Sequence, residues 1–430
     1  MEKILKELKK RGLKFELFYH SVESSPISFE QGELKALEVK KTEGIGLRII
    51  KDGQVGFAHS NKIDDPEIID FAISSSKFGK EATFDFPGES PIQEQDVYHE
   101  AEWDPRTLVN LGKEIISRLQ SKFRGMKVDL EFSKVVSKTR ILNSSGFDKE
   151  YRRTGYSYTI SGFSVLKSGF TYVFDANSST RPIKDFDVML PRIEKMIERA
   201  DKIAKIKPGV YPIILGPIAV WGTLVPTLRT GLNGVLVYKG MSPLTNKIET
   251  QLFGEKLSIV DDPENSDLIG SRPFDDEGVP TFKKYIVEKG VLKRHIHNLD
   301  SASKLGAKPE GNGIRSSFSS LPGPAFSNFI IEAGNRSVDE MIKSLKKGIL
   351  VYMVIGGGQS NIMMGDYSVN IGLGYYIENG EIVGRVKNTM IAGNVYQDFL
   401  KIIDISRETL RIQNYILPYI VLEEVKVATK

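Results

Sequence analysis

The residues whose types and spacing could do chemistry are few. His295-Ile296-His297 places two imidazoles two residues apart with Asp300 close behind. On a strand such residues share one face, so both could reach a single metal ion with Asp300 as a third ligand. Lys293 shares that face and would repel a cation, which makes a plain surface strand the competing reading. Pro273 to Pro280 (PFDDEGVP) gathers Asp275, Asp276 and Glu277. Three consecutive acids could hold a divalent cation through oxygen, but beside Gly278 and Pro280 they read as an exposed turn. Ser301 to Lys304 and Ser74 to Lys77 match S-x-x-K, in which a lysine one helical turn away activates a serine; neither is joined by SDN or KTG elements. The glycine-rich spots at Gly44-Ile45-Gly46, Gly311-Asn312-Gly313, Gly356-Gly357-Gly358 and Gly372-Leu373-Gly374 continue neither as GxGxxG nor as a Walker loop. No complete catalytic constellation follows from these residues alone.

Composition narrows the chemistry further. The 430 residues include no cysteine and only five histidines, which excludes disulfides, thiolate zinc sites, iron–sulfur clusters and a cysteine nucleophile. Basic and acidic residues number 59 and 55 and are interleaved, so the sequence predicts no nucleic-acid-binding face. Met1 to Gly12 is charged and amphipathic, unlike a secretory signal. Tyr211 to Val225 is too short and too interrupted by Pro212, Gly216, Pro217 and Gly222 to span a bilayer. The expectation is a cytoplasmic protein without membrane contact.

The elements that must position these residues read as α+β, multi-domain, with hairpin-rich antiparallel sheets and packed helices. Residues 1–80 form an N-terminal α+β domain, 81–104 a linker, 105–206 a central α+β domain and 207–430 a C-terminal α+β domain. Asp52-Gly53, Lys289-Gly290 and Asn379-Gly380 each sit between β-rich runs, the signature of a tight hairpin whose central residues take positive φ. Helices are predicted after Asp65-Pro66, along Leu108 to Leu119, over Ile193 to Ile203 and over Pro217 to Thr230. Another should open with the capping box Ser337-Val338-Asp339-Glu340.

The same segments carry a resemblance. PFDDEGVPT, then VEKGVLKRHIHNLDSASKLGAKPEGNGIR, then GDYSVNIGLGYYIENGEIVGRVKNTMIAGN, with GIGLRIIKDGQVGFAHS near the start, resemble the TldD/PmbA family, named as modulators of DNA gyrase and regarded as peptide-processing metalloproteases. The resemblance implies a metal held by the two histidines of an HExxxH motif and a downstream cysteine, the Glu acting as general base. If Gly231-Leu232 matches the Gly-Leu that follows the motif, Val225 and Thr230 stand where the histidines would be and Pro226 where the Glu would be. Valine ligates no metal, proline accepts no proton, and a lone threonine hydroxyl is a poor zinc ligand.

That departure resembles the PmbA/TldE branch. It implies a chain without its own catalytic site or metal, with zinc in a TldD-type partner and unfolded peptide as substrate. A homodimer is the other assembly to expect. Asn312, Arg315, Asp366 and Asn394 are the candidate cleft residues, with turn capping and buried hydrogen bonding as their structural alternative. The competing functions are an active peptidase with its metal at His295, His297 and Asp300, and a stand-alone peptide-binding protein.

Overall fold

The computed structural model describes residues 1–101, 103–166, 169–184, 186–356 and 360–429, so Gly357 and Gly358 of one glycine run lie outside the described residues. The architecture is α+β, built on two large sheets. The first has seven strands in the order Gln54–Ser60, Lys40–Lys51, Lys14–Glu30, Lys127–Asn143, Asp148–Leu166 and Gly169–Ser179, with Glu33–Leu37 added on Lys14–Glu30. Every pairing in it is antiparallel.

This sheet joins segments expected as separate units. Lys14–Glu30 pairs with Lys127–Asn143 from Glu16↔Asn143 to Phe29↔Leu130, so residues 1–80 and 105–206 share one hydrogen-bonded layer. The stretch expected as a linker lies along that layer, with Phe86 and Val97 buried and Thr154 N–H donating to the Val97 carbonyl at 3.0 Å. Asp104 then caps the helix Pro105–Lys122, accepting from Thr107 N–H at 2.9 Å, with Pro105 in the first turn where its missing N–H costs nothing.

Helices cover the sheet as their apolar spacing dictates. Glu2–Lys10 buries Ile4 and Leu8, and Glu67–Ser76 buries Ile68, Ile69 and Ala72, both into one cluster. Pro105–Lys122 contributes Leu108, Ile115, Ile116 and Leu119 to a second cluster. It meets Met189, Leu190, Ile193 and Ile197 of Met189–Arg199, a helix that starts and ends earlier than the predicted Ile193 to Ile203.

The second sheet has eleven strands and begins at Gly209–Leu215. Five of its strands close a ring: Gly209–Leu215 pairs in parallel with Lys347–Ile355, which pairs with Asp366–Glu378, then Thr389–Asn394, then Tyr415–Thr429, which returns to Gly209–Leu215. Gly216 is extended (φ −72°, ψ 165°) and turns the first strand into the helix Pro217–Gly231. That helix drives Ala219, Val220, Leu224, Val225 and Leu228 into a core with Ile213, Val351 and Ile420. Burying each large aliphatic side chain contributes about 1.5–3 kcal/mol, so this face holds the helix firmly.

The three hairpin turns adopt the expected geometry: Asp52 and Gly53 at φ 51° and 77°, Lys289 and Gly290 at 46° and 80°, Asn379 and Gly380 at 51° and 80°. The Ser337 capping box is formed in both directions and opens Val338–Ser344. Among the described residues no helix is long and apolar enough to cross a membrane.

Candidate functional site

While one face of Pro217–Gly231 is sealed into the core, Trp221, Gly222, Val225, Pro226, Arg229 and Thr230 line a cavity of 610 Å³. Ile296, Pro324, Ala325 and Phe326 form its far wall. Val225, Pro226 and Thr230, the positions that the resemblance sets against HExxxH if Gly231-Leu232 matches, all border this one cavity. Their chemistry does not fit a metal: Val225 and Pro226 offer no lone pair, and Thr230 offers only a hydroxyl. Asn233, also in the wall, spends its side-chain oxygen on Val235 N–H at 2.9 Å as a helix cap. A zinc ion would find no imidazole, thiolate or carboxylate among the described lining residues. Among the described residues no three His, Asp or Glu side chains gather as a metal-holding group anywhere. A second cavity, also 610 Å³, adjoins the first and shares Trp221, Gly222 and Gly356 with it.

The histidine pair is not a ligand set. The strand ends at Leu292, so His295 and His297 do not share a strand face. His295 donates from Nε2 to the Leu244 carbonyl at 3.0 Å, and His297 Nδ1 lies 3.4 Å from Ser301 Oγ. The rings stand edge-on, 6.2 Å between centroids. Asp300 is taken by Lys304 at 2.9 Å, and Lys293 by Glu249 at 2.8 Å. Burial pushes both imidazoles down, His297 to about 4 with His295 adding to the effect, so both are neutral at pH 7. The S-x-x-K run fails as well: Ser301 closes a capping box with Asn298, and Lys304 is held by Asp300 rather than by the serine.

The acid run at 275–277 is the opposite of an exposed turn. Asp275, Asp276 and Glu277 are 1%, 5% and 0% exposed. Glu277 accepts from Arg48 at 2.7 Å and from Leu299 N–H, at the start of Leu299–Leu305, at 2.7 Å. The other arm of Arg48 reaches Glu16 at 2.6 Å, and Arg315 pairs with the second oxygen of Glu16. Arg315 N–H donates to Asp276 at 2.8 Å, and Gly313 N–H to Asp275 at 2.7 Å. Burial, with the Glu277 charge beside it, pushes the Asp275 carboxyl up to about 8, against three backbone N–H donors that favour the carboxylate. Burying isolated charges would cost several kcal/mol each. Here each full charge meets an opposite one, and the result is an ionic knot that ties Lys14–Glu30 and Lys40–Lys51 of the first sheet to the 272–315 region.

Asn312 and Arg315 therefore sit in buried architecture. Asn312 donates to Asp261 at 2.6 Å and to the Ala325 carbonyl at 2.8 Å, which fixes the segment that forms one cavity wall. Asp366 and Asn394 meet across paired strands at 2.8 Å, and Asn394 also caps Val395–Asp398. None of these four residues lines the cavity over Pro217–Gly231. Glu16 and Arg48 were not singled out by sequence reasoning. Their signal was present, since each is a charge flanked by apolar strand residues, Phe15-Glu16-Leu17 and Leu47-Arg48-Ile49.

Comparison with known proteins places these features in a wider set. Family models described as PmbA/TldA metallopeptidase domain 1, central domain and C-terminal domain match residues 15–77, 98–207 and 208–429. An uncharacterised protein of Methanocaldococcus jannaschii is 30% identical over 417 residues, 94% of each chain. A metalloprotease TldD homologue of Buchnera aphidicola is 27% identical over 93% of this chain and 86% of its own. Among solved structures, TldE from Thermococcus kodakarensis superposes with a TM-score of 0.89 at 25% identity, covering 99% of this chain and 100% of that one.

Proposed function

The chain belongs to the PmbA/TldD metallopeptidase family, and from that premise we propose that it is a non-catalytic, PmbA/TldE-type subunit of a peptidase that processes unfolded peptides in the cytoplasm. In this reading the chain pairs with a TldD-type subunit that carries HExxxH and the zinc, and it contributes one side of the peptide-binding cleft. The observation that carries the reading is the cavity over Pro217–Gly231. It lies over the helix that the resemblance sets against the family's catalytic one, yet Val225, Pro226 and Thr230 supply neither ligand nor base. The full-length likeness to a TldE structure supports the same branch.

The chain's own residues would then orient substrate and keep water out, and the hydrolytic step would take place on the partner. Affinity capture of the tagged chain from its native source tests this. An HExxxH-bearing relative in stoichiometric amount is the expected outcome; recovery of the chain only with itself would overturn the heteromeric reading and leave the homodimer.

A further inference from the structure

Among the described residues lining the cavity over Pro217–Gly231, Arg229 is the one charged group. Its guanidinium is exposed, and no described residue forms an ion pair, hydrogen bond or ring contact with it. Arginines that border other cavities have partners: Arg192 holds Asp175 at 2.7 Å, Arg199 faces Asp339, and Arg152 lies over the Tyr98 ring at 4.0 Å. A lone cation in a wall otherwise made of apolar and small polar side chains is a site for an anionic group on an apolar ligand.

We propose that Arg229 binds the C-terminal carboxylate of a peptide whose last residues lie along this helix. The length fits. Arg229 and Trp221 are eight residues apart on one helix face, about 12 Å along the axis, which is the span of about four residues of extended chain. A carboxylate at Arg229 would lead the chain back past Val225 to the exposed Trp221 ring. There the first cavity shares Trp221, Gly222 and Gly356 with the second, whose walls include Tyr158, Tyr172, Phe174 and Met353. The guanidinium fork matches a carboxylate bidentately, and the aromatic and aliphatic walls accept side chains without selecting one sequence. The site thus reads the end of a peptide rather than its composition. The choice of a peptide as occupant rests on the function proposed above; the anion site rests on Arg229 and the cavity.

Calorimetric titration of the full chain with acetyl-Ala-Leu-Ala-Leu as free acid, with its C-terminal amide, and with acetyl-Ala-Leu-Ala-Glu amide tests this. The free acid should bind about tenfold more tightly than the amide, as expected for a hydrogen bond between charged groups. Arg229→Gln should erase that preference while Arg229→Lys retains part of it. Tryptophan emission gives a second readout, because Trp221 lies in the wall while the chain's other tryptophan, Trp103, packs on Tyr156 at 4.9 Å. Equal binding of acid and amide, no binding of either, or a preference that survives Arg229→Gln would overturn the proposal. Tight binding of the Glu amide would overturn the assignment to a chain terminus. Arg229 is exposed and unpaired, so its variants should fold with unchanged melting behaviour. Since capture of a partner subunit is a separate observation, failure here leaves the subunit reading standing, and the reverse also holds.

Discussion

The ionic knot and the cavity over Pro217–Gly231 are opposites in charge and in accessibility. The knot buries Glu16, Arg48, Glu277, Asp276 and Arg315 almost completely: Arg48 pairs with Glu16 and Glu277, Arg315 with Glu16, and Asp276 with Arg272 at 3.3 Å. The cavity is open, about 610 Å³ in volume, and among the described residues Arg229 is the one charged side chain in its wall. Two of the stretches that carry the family resemblance, PFDDEGVPT and GNGIR, fall in the knot, whereas the helix Pro217–Gly231 beside the cavity has no His, Asp, Glu or Cys. In this chain those stretches tie two sheets together, and the subunit reading proposed above rests on the cavity instead.

If the knot is architecture, its substitutions should be the costliest. Arg48→Ala leaves Glu16 and Glu277 buried without their shared partner and should cost about 3–5 kcal/mol of stability, measured by urea unfolding. A loss under about 1 kcal/mol would collapse the distinction between the two regions. Asn312→Ala strips Asp261 and the Ala325 carbonyl of a donor at 2.6 and 2.8 Å, and should cost about 1–3 kcal/mol. On the cavity side the expected sign reverses. Pro226 sits inside a helix and cannot donate to the carbonyl of Gly222, so Pro226→Ala should leave stability unchanged or raise it by about 1 kcal/mol.

The smallest effect separates the regions by pH. His295 and His297 flank Ile296 of the cavity wall, and burial holds both imidazoles below their ordinary value, His297 near 4. The unfolded chain takes up these protons near pH 6.5 and the folded chain does not until lower pH. Their contribution is therefore complete above about pH 6.5 and is lost as pH falls from there toward 4. His297→Asn should flatten that part of the stability–pH curve; an unchanged slope would mean that His297 titrates normally.

What was legible in the sequence was what short-range chemistry decides. Asp52-Gly53, Lys289-Gly290 and Asn379-Gly380 turn as their positive φ requires, and Ser337 with Glu340 caps its helix, because each decision is made within four residues. The acid run at 275–277 was misread because its partners are remote: Glu277 meets Arg48, 229 positions away, and Arg315 meets Glu16, 299 positions away. The same distance effect hid the shared first sheet, since nothing local to Lys14–Glu30 announces Lys127–Asn143 as its neighbour. The histidine pair failed for a smaller reason: the strand ends at Leu292, before the alternation that would have aligned the rings. At the candidate site, the absence of HExxxH was readable from five histidine positions, whereas the cavity beside Val225, Pro226 and Thr230 required the packed helix.

The subunit reading proposed above requires that this chain bind peptide without hydrolysing it. Its most direct test is hydrolysis of an unstructured peptide by the purified chain with added zinc, run beside the same chain mixed with an HExxxH-bearing relative from its native source. The account predicts no turnover by the chain alone and chelator-sensitive turnover by the pair. Chelator-sensitive turnover by the chain alone, in a preparation free of any HExxxH-bearing protein, would contradict it.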